Sequence, residues 1–190
     1  EAYELYLKAK HKYEKRKNTD DTEVAKELFN RALKIDNTLF SAKMALGDIY
    51  TNIGDFDEAR NILNSTLIQV KELNDNINIG KCYTSLADVY WNKGDTDESL
   101  KYSFLALEIF EEIEDEKIIL PTYSVIGIAY SLKGEYAKAL EYLNKSLIIK
   151  EKLDDKLGIG SGMNNIGSVY IDTGDFDKAL QYFNKAVSLI

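Results

Sequence analysis

The side chains that most often carry chemistry are scarce here. One histidine, His11, and one cysteine, Cys82, stand among 190 residues. A nucleophile–histidine–acid triad or a multi-histidine metal centre therefore lacks donors. A single cysteine rules out an internal disulfide framework. Only Lys81 adjoins Cys82 to depress its pKa, so it reads as a small, partly buried helix residue rather than a reactive thiol. Acid pairs such as Glu111-Glu112 and Asp154-Asp155 fit helix ends and exposed faces, where they solvate and cap; paired-carboxylate hydrolysis needs them converging in a pocket. Gly158-Ile-Gly160-Ser-Gly162 has the glycines of a phosphate loop, but no strand precedes it and no Gly-Lys-Ser or Gly-Lys-Thr follows. The expectation is a chain that is not an enzyme, with no cofactor and no metal, whose work is binding.

The stretch that must position any binding residue is Ala45–Ala59, ALGDIYTNIGDFDEA. It returns at Ser85–Ser99, Val125–Ala139 and Asn165–Ala179, with central glycines Gly54, Gly94, Gly134 and Gly174 spaced 40 residues apart. A fixed period of this size marks a repeat architecture. Four residues before each glycine stand Tyr50, Tyr90, Tyr130 and Tyr170; seven before stand the small residues Gly47, Ala87, Gly127 and Gly167. Large residues one helical turn apart, with small ones that let a neighbour approach, predict a first helix. The glycine ends it, because it tolerates positive φ. Asp55, Asp95 and Asp175, with Glu135 as a weaker substitute, follow as caps of a second helix; Asp55 with Glu58 and Asp95 with Glu98 have capping-box spacing. Phe56, Ala59, Leu63, Leu67 and Val70 give that second helix one apolar side. A lone pair cannot bury two such stripes, so pairs must stack.

These residues resemble the tetratricopeptide repeat over Ser41 to Ile190. The resemblance implies an all-α fold, a right-handed superhelical solenoid of stacked antiparallel helix pairs. The repeats are expected at 1–40 (divergent), 41–78, 79–118, 119–158 and 159–190 (truncated), in one solenoid over 1–190. The residues beyond the usual period of about 34 fall at Leu73–Ile79, Ile113–Ile119 and Leu153–Ile159, as if the second helix were extended by a turn or more. The family's early Trp is replaced by Lys43, Tyr83, Tyr123 and Met163, and the closing Pro is absent. Thr96 and Ser103 weaken the third repeat. In the fourth, Pro121 predicts that the first helix starts at or near it, or kinks there.

In the opening segment Ala2, Leu5, Ala9 and Tyr13, then Val24, Leu28, Ala32 and Ile35, mark two helices around an Asn18–Asp21 turn and cap signal. The basic run His11–Lys17 reads as a solvated face before a docking patch. The wording AYELYLKAK…AKELFNRALKID resembles the opening repeat of tetratricopeptide regions in bacterial signalling proteins, such as nucleotide cyclases and transcriptional regulators. The sequence opens at Glu1 without Met and stops at Ile190 in mid-helix by the repeat phase, so it reads as the interaction region of a larger protein in which Leu189 and Ile190 pack against something further.

A net charge of −8 argues against nucleic acid as partner. No apolar run spans a bilayer and no export signal appears, so a bacterial cytoplasmic location is expected. The family resemblance implies that first helices line a concave face where a protein or peptide partner binds. Residues thirteen, ten, six, three and two before each glycine form the stripe: Ser41, Met44, Asp48, Thr51 and Asn52; Lys81, Thr84, Asp88, Trp91 and Asn92; Pro121, Ser124, Ile128, Ser131 and Leu132; Ser161, Asn164, Ser168, Ile171 and Asp172. Ser, Thr and Asn suit the backbone of an extended peptide. Asn164-Asn165 is similar to the Asn that contacts bound peptide in longer-repeat relatives. Trp91 with Ile128 and Leu132 is the expected apolar anchor, and Asp48, Asp88 and Asp172 favour a basic ligand residue. Lys81, Asn52 and Asn92 are too few for a clamp on acidic peptide tails. Two further roles compete: self-association of a signalling protein as a homo-oligomer through the solenoid end, and sensing of a short signalling peptide by a change of pitch.

Overall fold

The computed structural model describes residues 1–113 and 115–189, and among them every regular element is an α-helix, ten in all. It divides into two compact units, Glu1–Lys93 and Gly94–Ile190.

The local chemistry of the glycine turn repeats closely. Gly54, Gly94, Gly134 and Gly174 have φ of 84°, 85°, 74° and 79°, where a Cβ would be strained. The residue after the glycine donates its N–H back to the tyrosine carbonyl, Asp55 to Tyr50, Glu135 to Tyr130 and Asp175 to Tyr170, each at 2.9 Å. This six-residue closure satisfies a helix-end carbonyl. It also consumes the Asp55 N–H, so only half of a capping box forms: Asp55 Oδ1 accepts from the Glu58 N–H at 3.2 Å. Asp95 and Asp175 accept in the same way from Glu98 and Lys178. Glu135 makes no side-chain cap, because its extra methylene carries the carboxylate past the first-turn N–H groups.

In the first unit α1 (Ala2–Glu14) pairs with α2 (Thr19–Ile35), α3 (Phe40–Ile53) with α4 (Phe56–Glu72), and α5 (Asn76–Lys93) lies against α4 and α3. Asn18 caps α2 by accepting from the Asp21 N–H. Ala9, Ala25, Phe29, Ala42, Leu46 and Ile49 form the buried centre. The basic run is solvated as expected: Lys12 pairs with Asp21, and Arg16 lies over the Tyr13 ring. In the second unit α6 (Thr96–Ile113), α7 (Glu116–Leu132), α8 (Tyr136–Lys152), α9 (Lys156–Asp172) and α10 (Phe176–Val187) pack each on the next, around Ala139, Leu143, Leu147, Ile159, Ile166 and Val169.

The small residue seven before the glycine has a clear cause. A Cβ on Gly47 would fall 2.9 Å from Leu63, and one on Gly127 would fall 2.7 Å from Leu143 Cγ and 3.0 Å from the Leu143 backbone nitrogen. Tight approach of paired helices thus favours a small residue there, Gly47 and Gly127 in two repeats and the fully buried Ala87 in another.

Three local expectations change. The residues beyond the usual period do not only lengthen second helices. After α4 they split into a short turn, closed by Asn74 at φ 54°, and the opening turn of α5, which begins at Asn76; after α8, Asp154 at φ 51° repeats the device. Helix α7 begins at Glu116, five residues before Pro121, because Asp115 caps it through the Lys117 N–H. Pro121 therefore sits inside the helix. At the other end, α10 stops at Val187 and Leu189 packs against the second unit's core, while Ile190 lies outside the described residues.

The phosphate-loop look-alike is helix: Gly158, Gly160 and Gly162 lie within α9, and Gly158 N–H donates to the Asp155 cap. Cys82 is fully buried, and burial followed by the nearby Asp75 charge pushes its thiol up to about 12.

Candidate binding face on the first helices

In the first unit the face is made by α3 and α5, which pack side by side. The stripe expected on α3 narrows. Met44 and Thr51 are each only 7% exposed, and the Thr51 hydroxyl donates to the Gly47 carbonyl inside its own helix. Both belong to the packing here, although Trp91 and Asn164 at the same offsets from their glycines are exposed, so the offset alone does not decide which side chains face outward. Ser41, Asp48 and Asn52 remain exposed. On α5, Lys81, Trp91 and Asn92 are exposed, and Thr84 and Asp88 are half-buried.

Asp48 and Asp88 occupy the same register one repeat apart. Asp48 accepts a hydrogen bond from Ser85 of α5, and so reaches across the seam between the helices. Protein crowds both carboxyls although solvent still reaches them. This desolvation raises Asp48 to about 6 against the lowering effect of Ser85. It raises Asp88 to about 7, and the neighbouring Asp48 charge adds to the rise. Neither carboxylate has an ion-pair partner among the described residues.

The flanking amides are partly engaged. Asn52 Nδ2 donates to the Asp48 carbonyl and to the Tyr13 hydroxyl, both at 2.8 Å; Asn92 Nδ2 donates to the Asp88 carbonyl at 2.8 Å. Each amide is thereby oriented, leaving its Oδ1 available as an acceptor. Sequence reasoning missed Ser85 and Tyr13 as parts of this face. Neither falls on the stripe register, and the loop between α1 and α2 breaks the period that would have located Tyr13.

In the second unit the register carries other chemistry. Ser124 shares a 2.7 Å hydrogen bond with Ser146 Oγ and ties α7 to α8 instead of facing outward. Ile128 is half-buried against the core, and Ser131 and Asn165 are half-buried. Leu132 is 65% exposed. Asn164 and Ser168 are exposed, with Ser168 Oγ donating to the Asn164 carbonyl. No group of three or more His, Cys, Asp or Glu is placed to hold a metal among the described residues. No described helix is long and apolar enough to cross a membrane.

The tetratricopeptide repeat profile matches residues 38–112 and 118–190, well over half of the sequence. The chain belongs to the tetratricopeptide repeat family, whose members serve in general as non-enzymatic scaffolds for protein–protein interaction. No curated protein sequence matches it. Solved structures do resemble it. A Rap protein complexed with competence and sporulation factor superposes with a TM-score of 0.85 at 16% identity, over 99% of this chain and 53% of that one. The tetratricopeptide-sensor ATPase of the STAND class from Pyrococcus horikoshii gives 0.81 at 21% identity, over 99% of this chain and 29% of that one. A thermophilic tetratricopeptide protein from Thermus thermophilus gives 0.73 at 18% identity, over 100% of this chain and 91% of that one. At these identities the likeness establishes the fold. The chain spans about half of the Rap protein and less than a third of the ATPase.

Proposed function

We propose that this chain is a protein-binding scaffold that holds an extended segment of a partner, seating a basic side chain of that segment between Asp48 and Asp88. One observation carries the reading: two carboxylates on adjacent first helices feel each other's charge, and neither has an ion-pair partner among the described residues. A lysine or arginine from a ligand would offset the desolvation and the mutual repulsion by direct attraction, and it would do so only when bound. Trp91, one turn beyond Asp88 and 37% exposed, offers a flat surface beside that pocket. The Oδ1 atoms of Asn52 and Asn92 are placed to accept from a peptide backbone. The second unit, taken by itself, offers a neutral surface at Leu132, Asn164 and Ser168. With a net charge of −8 the partner is a basic protein segment rather than nucleic acid, met in the cytoplasm.

Calorimetric titration with short extended peptides that differ only in Lys, Arg or Gln at one position tests this. The basic peptides should bind at least tenfold tighter, and the preference should vanish in the chain carrying Asp48→Asn and Asp88→Asn. Retention of the preference in that variant would sink the reading. Affinity should also rise from pH 5 to pH 8, as the two groups near 6 and 7 lose their protons. Trp91→Ala with Asn164→Ala should weaken binding while leaving helicity intact, by about 2 kcal/mol for the Trp.

A second reading, a sensor of a short peptide, is favoured by the same pair, since a bound cation changes its charge state. The Rap structure holds a factor, and the Pyrococcus repeat region is called a sensor. A ligand-dependent change in solution radius distinguishes sensing from holding. Self-association through an end of the stack, the remaining reading, is separated from both by a light-scattering mass.

A further inference from the structure

A hollow lies wholly inside the second unit, where α7 packs between α6 and α8. Its volume is about 350 Å³, within the range of small-ligand sites, roughly 300–1,000 Å³. Phe110, Ile119 and Ile149, at most 7% exposed, make the floor, and Ile148 stands at the mouth, 52% exposed. Two lysines of α8 bracket it. Lys145 reaches over the Tyr123 ring on α7, and Lys152 pairs with Glu116 at the start of α7. They stand two helical turns apart, about 10 Å along the axis. An extended segment running the length of the groove would have to break one of these bridges, whereas a compact molecule would not.

The repeat itself does not demand this hollow. In the first unit Lys43 stands at the register of Tyr123 and Gln69 at that of Ile149, and the Lys43 ammonium donates to Gln69 Oε1, so polar groups of the chain satisfy each other there. In the second unit the same two places carry an aromatic ring and a branched alkyl group, and the hollow remains. Charge then selects what enters it. Lys152 is matched by Glu116 and Lys145 by Glu141. Asp115 accepts the Lys117 N–H as the cap of α7. Glu111, on the α6 wall, has no ion-pair partner among the described residues. It stands within electrostatic reach of Tyr123: burial raises that phenol, the Glu111 charge raises it further, and Lys145 opposes both. An anionic head group would meet two lysines already matched and one acid that is not. A cationic head group would match Glu111 and leave its apolar body on the isoleucines.

Independently of the peptide-holding face, we propose that this pocket binds a small organic amine with a compact apolar body, its ammonium on Glu111 and its body between Phe110, Ile119 and Ile148. The site lies on three helices of the second unit and uses none of the residues assigned to the acidic pair of the first.

The test titrates the whole chain, its isoleucine methyl groups isotopically labelled, with phenethylamine, phenethyl alcohol and hydrocinnamate, which share an aromatic body and differ in the head group. Saturable methyl shifts are expected at Ile119, Ile148 and Ile149. The amine should bind about fivefold tighter than the alcohol, the worth of one exposed ion pair, and the acid should bind weakest. Glu111→Gln should erase the amine's advantage and leave the alcohol's affinity unchanged. Ile148→Ser, a change at an exposed side chain, should weaken all three ligands while circular dichroism shows full helicity. Asp48→Asn with Asp88→Asn should leave every one of these shifts in place, so failure here is distinguishable from failure of the basic-peptide reading. Shifts that do not saturate at millimolar concentrations, an amine preference that survives Glu111→Gln, or tightest binding by the acid would overturn the inference.

Discussion

The two halves of the chain use one scaffold to present different surfaces. In Glu1–Lys93 the position six before the glycine is Asp48 and then Asp88, raised to about 6 and 7 by burial. In Gly94–Ile190 the same position is Ile128 and then Ser168, one half-buried in the core and the other exposed. Behind both, the pairing of helices is alike: Gly47 faces Leu63, and Gly127 faces Leu143. Positions that hold helix against helix are therefore constrained to repeat, whereas the outward register is free to carry charge in one unit and none in the other.

The comparison breaks first, and hardest, at the scaffold. Leu63→Ala and Leu143→Ala, at residues 0% and 2% exposed, should each lower the unfolding free energy by about 3 kcal/mol in urea titrations. A loss confined to one of them would show that the two units are not built alike. Gly127→Ala should cost about 2 kcal/mol, since its Cβ meets the Leu143 backbone and not only a side chain that can swing away. Gly47→Ala, facing only the Leu63 side chain, should cost less.

The outward register gives smaller effects with a distinctive pH signature. Asp48 and Asp88 titrate higher in the folded chain than the ordinary 3.8, so the folded state holds extra protons between about pH 4 and pH 7. Stability should therefore fall as pH rises through that window. Asp48→Asn with Asp88→Asn should stabilise the chain at pH 8 by about 1 kcal/mol, discounted for the solvent that still reaches both groups, and by nearly nothing at pH 4. Ser168→Ala, at the equivalent place in the second unit, should change thermal midpoints equally at both pH values. A matching pH dependence there would erase the contrast.

Much of the scaffold was legible in the sequence because its constraints act locally and recur in phase. Glycine at positive φ, an acidic cap after it and a small residue two turns before it leave marks that counting finds. The face was less legible. Met44 and Thr51 sit on the expected stripe but turn inward, and Ser124 spends its hydroxyl on Ser146. Which flank of a helix is left open depends on how neighbouring helices lean, and that is absent from any single repeat. Pro121 offered a start or a kink, and the start lies five residues earlier, at Glu116. The proline's backbone preference is real, but the Asp115 cap and the packing of α7 between α6 and α8 outweigh a missing N–H near the helix start.

The side-by-side packing of α3 and α5 also sets a ruler. Adjacent helix axes stand about 8–10 Å apart, and an extended chain advances about 3.3 Å per residue. A threaded strand would thus step from one repeat to the next roughly every third residue. A target would set its one positive side chain over the seam between the acidic rungs and space its flanking contacts in that cadence, so a scrambled sequence of equal charge would slip out of register.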